Sequence, residues 1–185
     1  MLHENLRPLI KTNDRAFFFL GEQRERGVNE MMRTYGVTPQ EQALSTDGLT
    51  FLKKLLDGTY PAPPIAQTLG FALVEVEEGR AVFEGIPGPH LLNPIGTVHG
   101  GFAATLLDSA CGCAVHSRLS AQQAYTTLEL KVAYHRAITA ETGALRAEAR
   151  IVSFGRRVAW SEGRLTDAEG RLFASATSTL LVFER

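Results

Sequence analysis

In the second half of the chain, apolar and polar residues alternate with a period of two in four stretches. These are Tyr125–Tyr134, Ala144–Ser153, Arg157–Thr166 and Leu172–Phe183. In the first, Leu128, Leu130, Val132 and Tyr134 share one face, with Thr127, Glu129 and Lys131 on the other. In the second, Leu145, Ala147, Ala149 and Ile151 oppose Arg146, Glu148 and Arg150. Period-two alternation predicts antiparallel strands with one face on a core. Upstream, Phe71–Val76 and Arg80–Glu84 flank Glu77-Glu78-Gly79, which predicts a hairpin. Asp167-Ala168-Glu169-Gly170 predicts a turn between the last two strands. Between the hairpin and the four strands, the run from Phe102 to about Arg118 has no proline and no charge before its end except Asp108. Its apolar residues fall on nearly every side of a helical wheel, which predicts a buried helix. It is too short to span a bilayer comfortably, and its Asp would be costly there. The fold class expected is α+β, a curved antiparallel sheet wrapped around a long central helix and covering it on all sides. Ala103, Ala104, Ala110, Gly112 and Ala114 would allow close approach.

The first part of the chain is more charged. Arg7 to Tyr35 predicts one or two helices, and Phe17, Phe18, Phe19 and Leu20 would need a partner surface. Thr38-Pro39-Gln40-Glu41 has the form of a helix start, with Thr38 as cap and Pro39 at the first position. Asp47 can cap a second helix running through Leu56 and ended by Gly58. Pro61-Ala62-Pro63-Pro64 is a rigid break. The expected organisation is therefore an N-terminal helical extension over residues 1–60 and a main domain over 61–185.

Composition narrows the function. With 185 residues, 44% apolar and 21% charged, the chain suits one globular domain with an extension. A formal net charge of −1 offers no attraction for nucleic acid or an anionic membrane. No basic-then-apolar leader pattern opens the chain. Cys111 and Cys113 face different ways on a helix and read as small core residues of a cytoplasmic protein. The chain shows no metal-ligand cluster and no glycine-rich nucleotide loop of the usual spacings, so no metal and no cofactor is expected.

Candidate chemistry sits around the predicted helix. The helix opens on Gly100-Gly101. Its first N–H groups have no intrahelical partner, the macrodipole adds partial positive charge, and glycine lets a ligand oxygen come close. That suits an anion or a polarised carbonyl, although glycines there also serve tight packing. Asp108 strengthens the chemical reading, because a buried helical carboxylate needs a reason. Asp108 lies eight residues beyond Gly100, roughly 12 Å along a helix. One small reacting group cannot touch both. Two antiparallel copies across a two-fold axis could bring Gly100 of one subunit towards Asp108 of the other. A homodimer or a dimer of dimers with shared sites is therefore expected.

The stretch Asn93-Pro94-x-Gly96-x-x-His99-Gly100-Gly101, followed by Leu106-Leu107-Asp108-Ser109-Ala110, resembles the hotdog-fold acyl-CoA thioesterases of the phenylacetyl-CoA (PaaI-like) type. Thr126-Thr127-Leu128-Glu129-Leu130-Lys131-Val132 looks like the strand that follows the helix in that family. The resemblance runs from about Pro64 to Phe183. It implies hydrolysis of an acyl- or aryl-CoA thioester to free acid and coenzyme A. It also implies that Gly100 donates its N–H to the thioester carbonyl. Asp108 of the partner subunit would be nucleophile or general base. Asn93 would position the thioester or the water, and Thr127 would help orient the water. His99 would hold the loop and the helix start together. Gly101, Arg156 and Arg157 are substrate-binding candidates, the arginines through the coenzyme A phosphates, although a solvated turn is the simpler reading of the two arginines.

Two other activities fit parts of the pattern. A non-catalytic acyl-CoA-binding module would not need Asp108. A hydroxyacyl-thioester dehydratase would call for a His–Asp or His–Glu pair near the helix start, for which only His99 stands. His116 is expected in the core or at a dimer contact, Trp160 in the core or an interface. Glu129, on the Thr127 face, could approach the site or simply be exposed.

Overall fold

The computed structural model describes residues 34–185. Arg7–Tyr35, expected to form one or two helices, lies outside these residues but for Thr34 and Tyr35, as does the Phe17–Leu20 run. The first described helix, α1 (Gln40–Leu44), starts one residue later than its sequence suggests. Pro39 has an extended ψ of 138°, so it occupies the cap position itself and Thr38 is not the cap. Helix α2 (Gly48–Leu56) is capped as expected: the Asp47 carboxylate accepts from Thr50 N at 2.9 Å and from Thr50 Oγ1 at 2.7 Å. A third helix, α3 (Pro64–Leu69), grows directly out of the proline run and was not anticipated. Pro64 sits at its first turn, where a missing N–H costs nothing, and Gly70 closes it in the left-handed region at φ 67°. The Pro61–Pro64 break thus lies inside the unit formed by residues 34–185, and Leu52 of α2 is buried in the core of that unit.

The rest follows the predicted order. Strands β1 (Phe71–Glu77) and β2 (Arg80–Gly85) form the hairpin, and a 3-10 turn (Pro89–Leu91) leads to the long helix α4 (Gly100–His116). Then come β3 (Gln123–Tyr134), β4 (Leu145–Phe154), β5 (Val158–Thr166) and β6 (Leu172–Glu184). All six strands join one antiparallel sheet in the order β1-β2-β4-β5-β6-β3, with β1 and β3 at the edges. One side of the sheet packs on α4 through Ala81, Phe83, Leu145, Ala147, Leu165 and Ala174. The other side carries ion pairs among Arg80, Arg146, Arg150, Glu75, Glu84 and Glu148.

Two expectations about faces need correction. The sheet does not enclose α4 completely: Gly101, Ala104, Thr105, Asp108 and Ser109 form a half-buried stripe. And β3 does not alternate cleanly. Its pairing with β6 slips between Thr127 and Glu129, leaving Leu128 as a bulge that is 58% exposed. The extra residue turns Thr127, Leu130 and Val132 to the same, inner face. Glu129 is on the outer face, where Thr179 Oγ1 lies 3.5 Å from its Oε2. Trp160 is on the outer face of β5 and 46% exposed, outside the core.

Candidate active site

Strand β3 runs antiparallel along α4, and three of its inner-face side chains meet the helix in order. Tyr125 packs against Gly112, Thr127 Oγ1 donates to Asp108 Oδ1 at 3.2 Å, and Tyr134 OH donates to the Gly100 carbonyl at 3.0 Å. The bulge at Leu128 makes this possible. Without it Thr127 would point away from the helix that Leu130 and Val132 face.

The start of α4 is built from the loop that precedes it. Asn93 Oδ1 accepts from Ile95 N at 3.1 Å and Thr97 N at 3.2 Å, and its Nδ2 donates to Thr97 Oγ1 at 2.8 Å. Gly96, at φ 85°, closes this tight turn. The Asn93 side chain is therefore engaged in shaping its own loop. His99 is the N-cap residue of α4: its Nδ1 accepts from Gly101 N at 2.9 Å, and its own N–H reaches Leu91 O at 2.8 Å. The Gly101 N–H is thereby occupied. As the first helical residue, Gly100 has no intrahelical acceptor for its N–H, and no other acceptor among the described residues takes it.

Around Asp108 the titratable neighbours are held neutral. Burial pushes the Cys113 thiol up to about 12 and the Cys111 thiol up to about 11, with the Asp108 charge adding to both. Burial also raises the Tyr125 phenol. Asp108 thus has the Thr127 hydroxyl as its hydrogen-bond partner, and the thiols and phenol that feel its charge are uncharged. Among the described residues no group of three or more His, Cys, Asp or Glu side chains is placed to hold a metal ion. No described helix is long and apolar enough to cross a membrane.

Comparison with known proteins gives this geometry a family. Residues 95–174 match the family model of the thioesterase superfamily. In structure the chain is similar to a phenylacetic acid degradation-related protein of Ralstonia eutropha JMP134, at 32% identity and TM-score 0.64. That match covers 71% of this chain and 98% of the other. The chain belongs to the hotdog-fold thioesterase superfamily. It is also similar to a mutant of the phenylacetic acid degradation protein PaaI of Thermus thermophilus (31% identity, TM-score 0.58, 64% of this chain and 97% of that one). A thioesterase family protein of Silicibacter pomeroyi matches at 26% identity and TM-score 0.64, over 72% of this chain and 98% of its own. Among curated proteins, no sequence match is found. Thioester hydrolysis is accordingly the general chemistry to which the fold and family point.

Within this thioesterase chain the candidate residues fall into separate groups. Asn93, His99, Gly100 and Gly101 gather at the start of α4, and Asp108 with Thr127 lies two turns further on. Arg156 and Arg157 are exposed in the β4–β5 turn. Their neighbours Phe154 and Ala159 pack with Val115 and Leu119 at the far end of α4, roughly 24 Å along the helix from Gly100. The inner-face tyrosines of β3 were not anticipated as part of the site. The available signal was that a tyrosine on an apolar face brings a hydroxyl that needs a partner.

Proposed function

We propose that this protein hydrolyses acyl- or aryl-CoA thioesters to a free carboxylic acid and coenzyme A. The observation that carries the proposal is that one helix holds both the Asp108 carboxylate, hydrogen-bonded to Thr127 of β3, and the Gly100 N–H, which finds no acceptor among the described residues. The thioester oxygen accepts from Gly100 N–H, where the helix dipole favours the negative charge that develops on it. Asp108 attacks the carbonyl carbon or draws a proton from a water that does. By either route the C–S bond breaks, water supplies the hydroxyl of the acid, and the thiol takes the proton. Thr127 orients the carboxylate or the water. Asn93 shapes the loop beside the carbonyl, and the guanidinium groups of Arg156 and Arg157 receive the phosphates of coenzyme A. The names of the Ralstonia and Thermus relatives refer to phenylacetic acid degradation, which favours an arylacetyl group.

The site is shared between two copies of the chain. Asp108 is roughly 12 Å along the helix from Gly100, so the second copy supplies the carboxylate. The half-buried stripe on α4 and the outer edge of β3, unpaired among the described residues, support this, because both present surface that a second copy can cover. Thiol release from a panel of aliphatic and aromatic acyl-CoAs tests the proposal. The wild-type protein should hydrolyse at least one class and Asp108→Asn should not. Tight acyl-CoA binding without thiol release would identify a binding module instead.

A further inference from the structure

Two hydrogen bonds converge on a single peptide group at the start of α4. The Gly100 carbonyl accepts from Tyr134 OH at 3.0 Å. The other end of the same peptide, the Gly101 N–H, donates to His99 Nδ1 at 2.9 Å. Two successive glycines have the widest torsional freedom of any pair, so a helix that starts on them is loose unless it is tied. Here the Gly100–Gly101 peptide is tied at both ends. The Gly100 N–H belongs to the preceding peptide, whose His99 carbonyl accepts from Phe102 N at 3.0 Å, so with the peptides on both sides of Gly100 held, its N–H keeps one direction. The Tyr134 ring also lies against the same residue: its Cζ, Oη and Cε1 stand 3.1–3.2 Å from where a Cβ on Gly100 would be. Core packing does not demand this placement, since Tyr134 is 57% exposed at the end of an edge strand.

We infer that Tyr134 is a positioning residue for the thioester, clamping the Gly100–Gly101 peptide so that the Gly100 N–H keeps its aim at the carbonyl oxygen. The inference rests on the proposed role of that N–H. Tyr134 acts through Gly100 and does not itself touch the reacting atoms. Preorganised donors are worth most when nothing has to move as charge develops. Losing the clamp therefore lowers turnover and leaves ground-state binding of coenzyme A alone.

The test is Tyr134→Phe, which keeps the ring and removes only the hydroxyl. Turnover should fall on the order of five- to tenfold, the cost of one neutral hydrogen bond, with KM and Tm unchanged. A ketone analogue of the acyl-CoA, with a methylene in place of the thioester sulfur, supplies a second readout. Its carbonyl stretch should be lowered on binding to the wild-type protein and return part-way to the free value in Tyr134→Phe. A merely structural role would move Tm and leave that band in place. Unchanged turnover in Tyr134→Phe, or reduced turnover with an unmoved carbonyl band, overturns the role of Tyr134. If instead Gly100→Val keeps full activity, the site itself is wrong and both proposals fall.

Discussion

The two ends of α4 are built on opposite plans, and a pair of glycines shows the difference. At the N-terminal end Gly100 presses against the ring of Tyr134, an exposed side chain held by one hydrogen bond. At the C-terminal end Gly48, the first residue of α2, presses against the main chain of His116. Gly48 N also donates to Leu119 O at 2.9 Å, just beyond the helix. Aromatic rings seal this end. His116 stacks on Phe51 at 5.3 Å and meets Tyr125 edge-on at 5.6 Å, while Phe51 leans on Tyr60 at 5.4 Å. The first end is thus assembled from directed hydrogen bonds around an N–H with no acceptor among the described residues. The second is assembled from packed rings and backbone. The space beside Gly100 is filled by a side chain that can move, and the space beside Gly48 by backbone that cannot.

The largest expected effect is at the open end. Gly100→Val and Asp108→Asn should each lower turnover by on the order of 100-fold or more. Neither should cost much stability, because the Tyr134 ring can swing aside and Asn keeps the shape of Asp. Mixing the two inactive variants then examines the sharing of the site. In a heterodimer one site carries both defects and the other neither, so each heterodimer should recover towards half of the wild-type activity. No recovery, with subunit exchange verified independently, would count against a site shared between two copies.

Gly48→Ala should show the converse. The new Cβ would overlap the carbonyl oxygen of His116 and stand 2.6 Å from its Cδ2 and 2.7 Å from its carbonyl carbon. Backbone cannot swing aside as the Tyr134 ring can, so α2 must shift at a cost of about 2–3 kcal/mol. Urea unfolding should register that loss, while turnover per folded molecule stays within about twofold, since small overpacking strains spread only locally. A drop in turnover as large as the drop in stability would mean that the two ends of α4 are coupled.

Much of this arrangement was legible in the sequence, for physical reasons. The strands and α4 each repeat one local pattern over six to 17 residues, and Asp47 and Gly58 carry unambiguous end signals. What the sequence hid depends on single residues. One bulge at Leu128 reverses which face Thr127 occupies, and no period reveals an extra residue in advance. α3 was missed although Pro64 and Gly70 mark both its ends, because six residues are too few to show a helical period. The pattern around Gly100 and Asp108 on which the proposed function rests was visible because it is local in sequence. Tyr134 was not, because its bond to Gly100 spans 34 positions and its place among apolar residues disguised it. His116 was expected in the core or at a dimer contact, and its seat between Phe51 and Tyr125 needed the placement of α2 to be known.

The smallest predicted effect is the pH dependence of the sealed end. Burial among Phe51 and Tyr125, with a lesser contribution from the Arg185 charge, pulls His116 down to about 4 from an ordinary 6.5. The Tyr125 phenol, itself raised by burial, is neutral and cannot compensate a charged imidazole. Below pH 6.5 the unfolded chain therefore takes up a proton that the folded chain refuses. The stability that this neutral packing supports is complete above pH 6.5 and is lost as pH falls towards 4, levelling off below that. Between pH 7 and pH 5 the loss should be on the order of 1–2 kcal/mol. Glu75, held low first by Arg146 and then by Arg80, and Glu148, held low by Arg80, lose their contributions only as pH drops below the ordinary carboxylate value of 4.5. The window from 7 to 5 is thus clear of them. Urea unfolding at fixed protein concentration should show the slope in the wild-type protein and a flatter one in His116→Phe, which keeps a ring between Phe51 and Tyr125. Equal slopes in the two proteins would show that the sealed end does not resist protonation, and that its difference from the Gly100 end lies in packing alone.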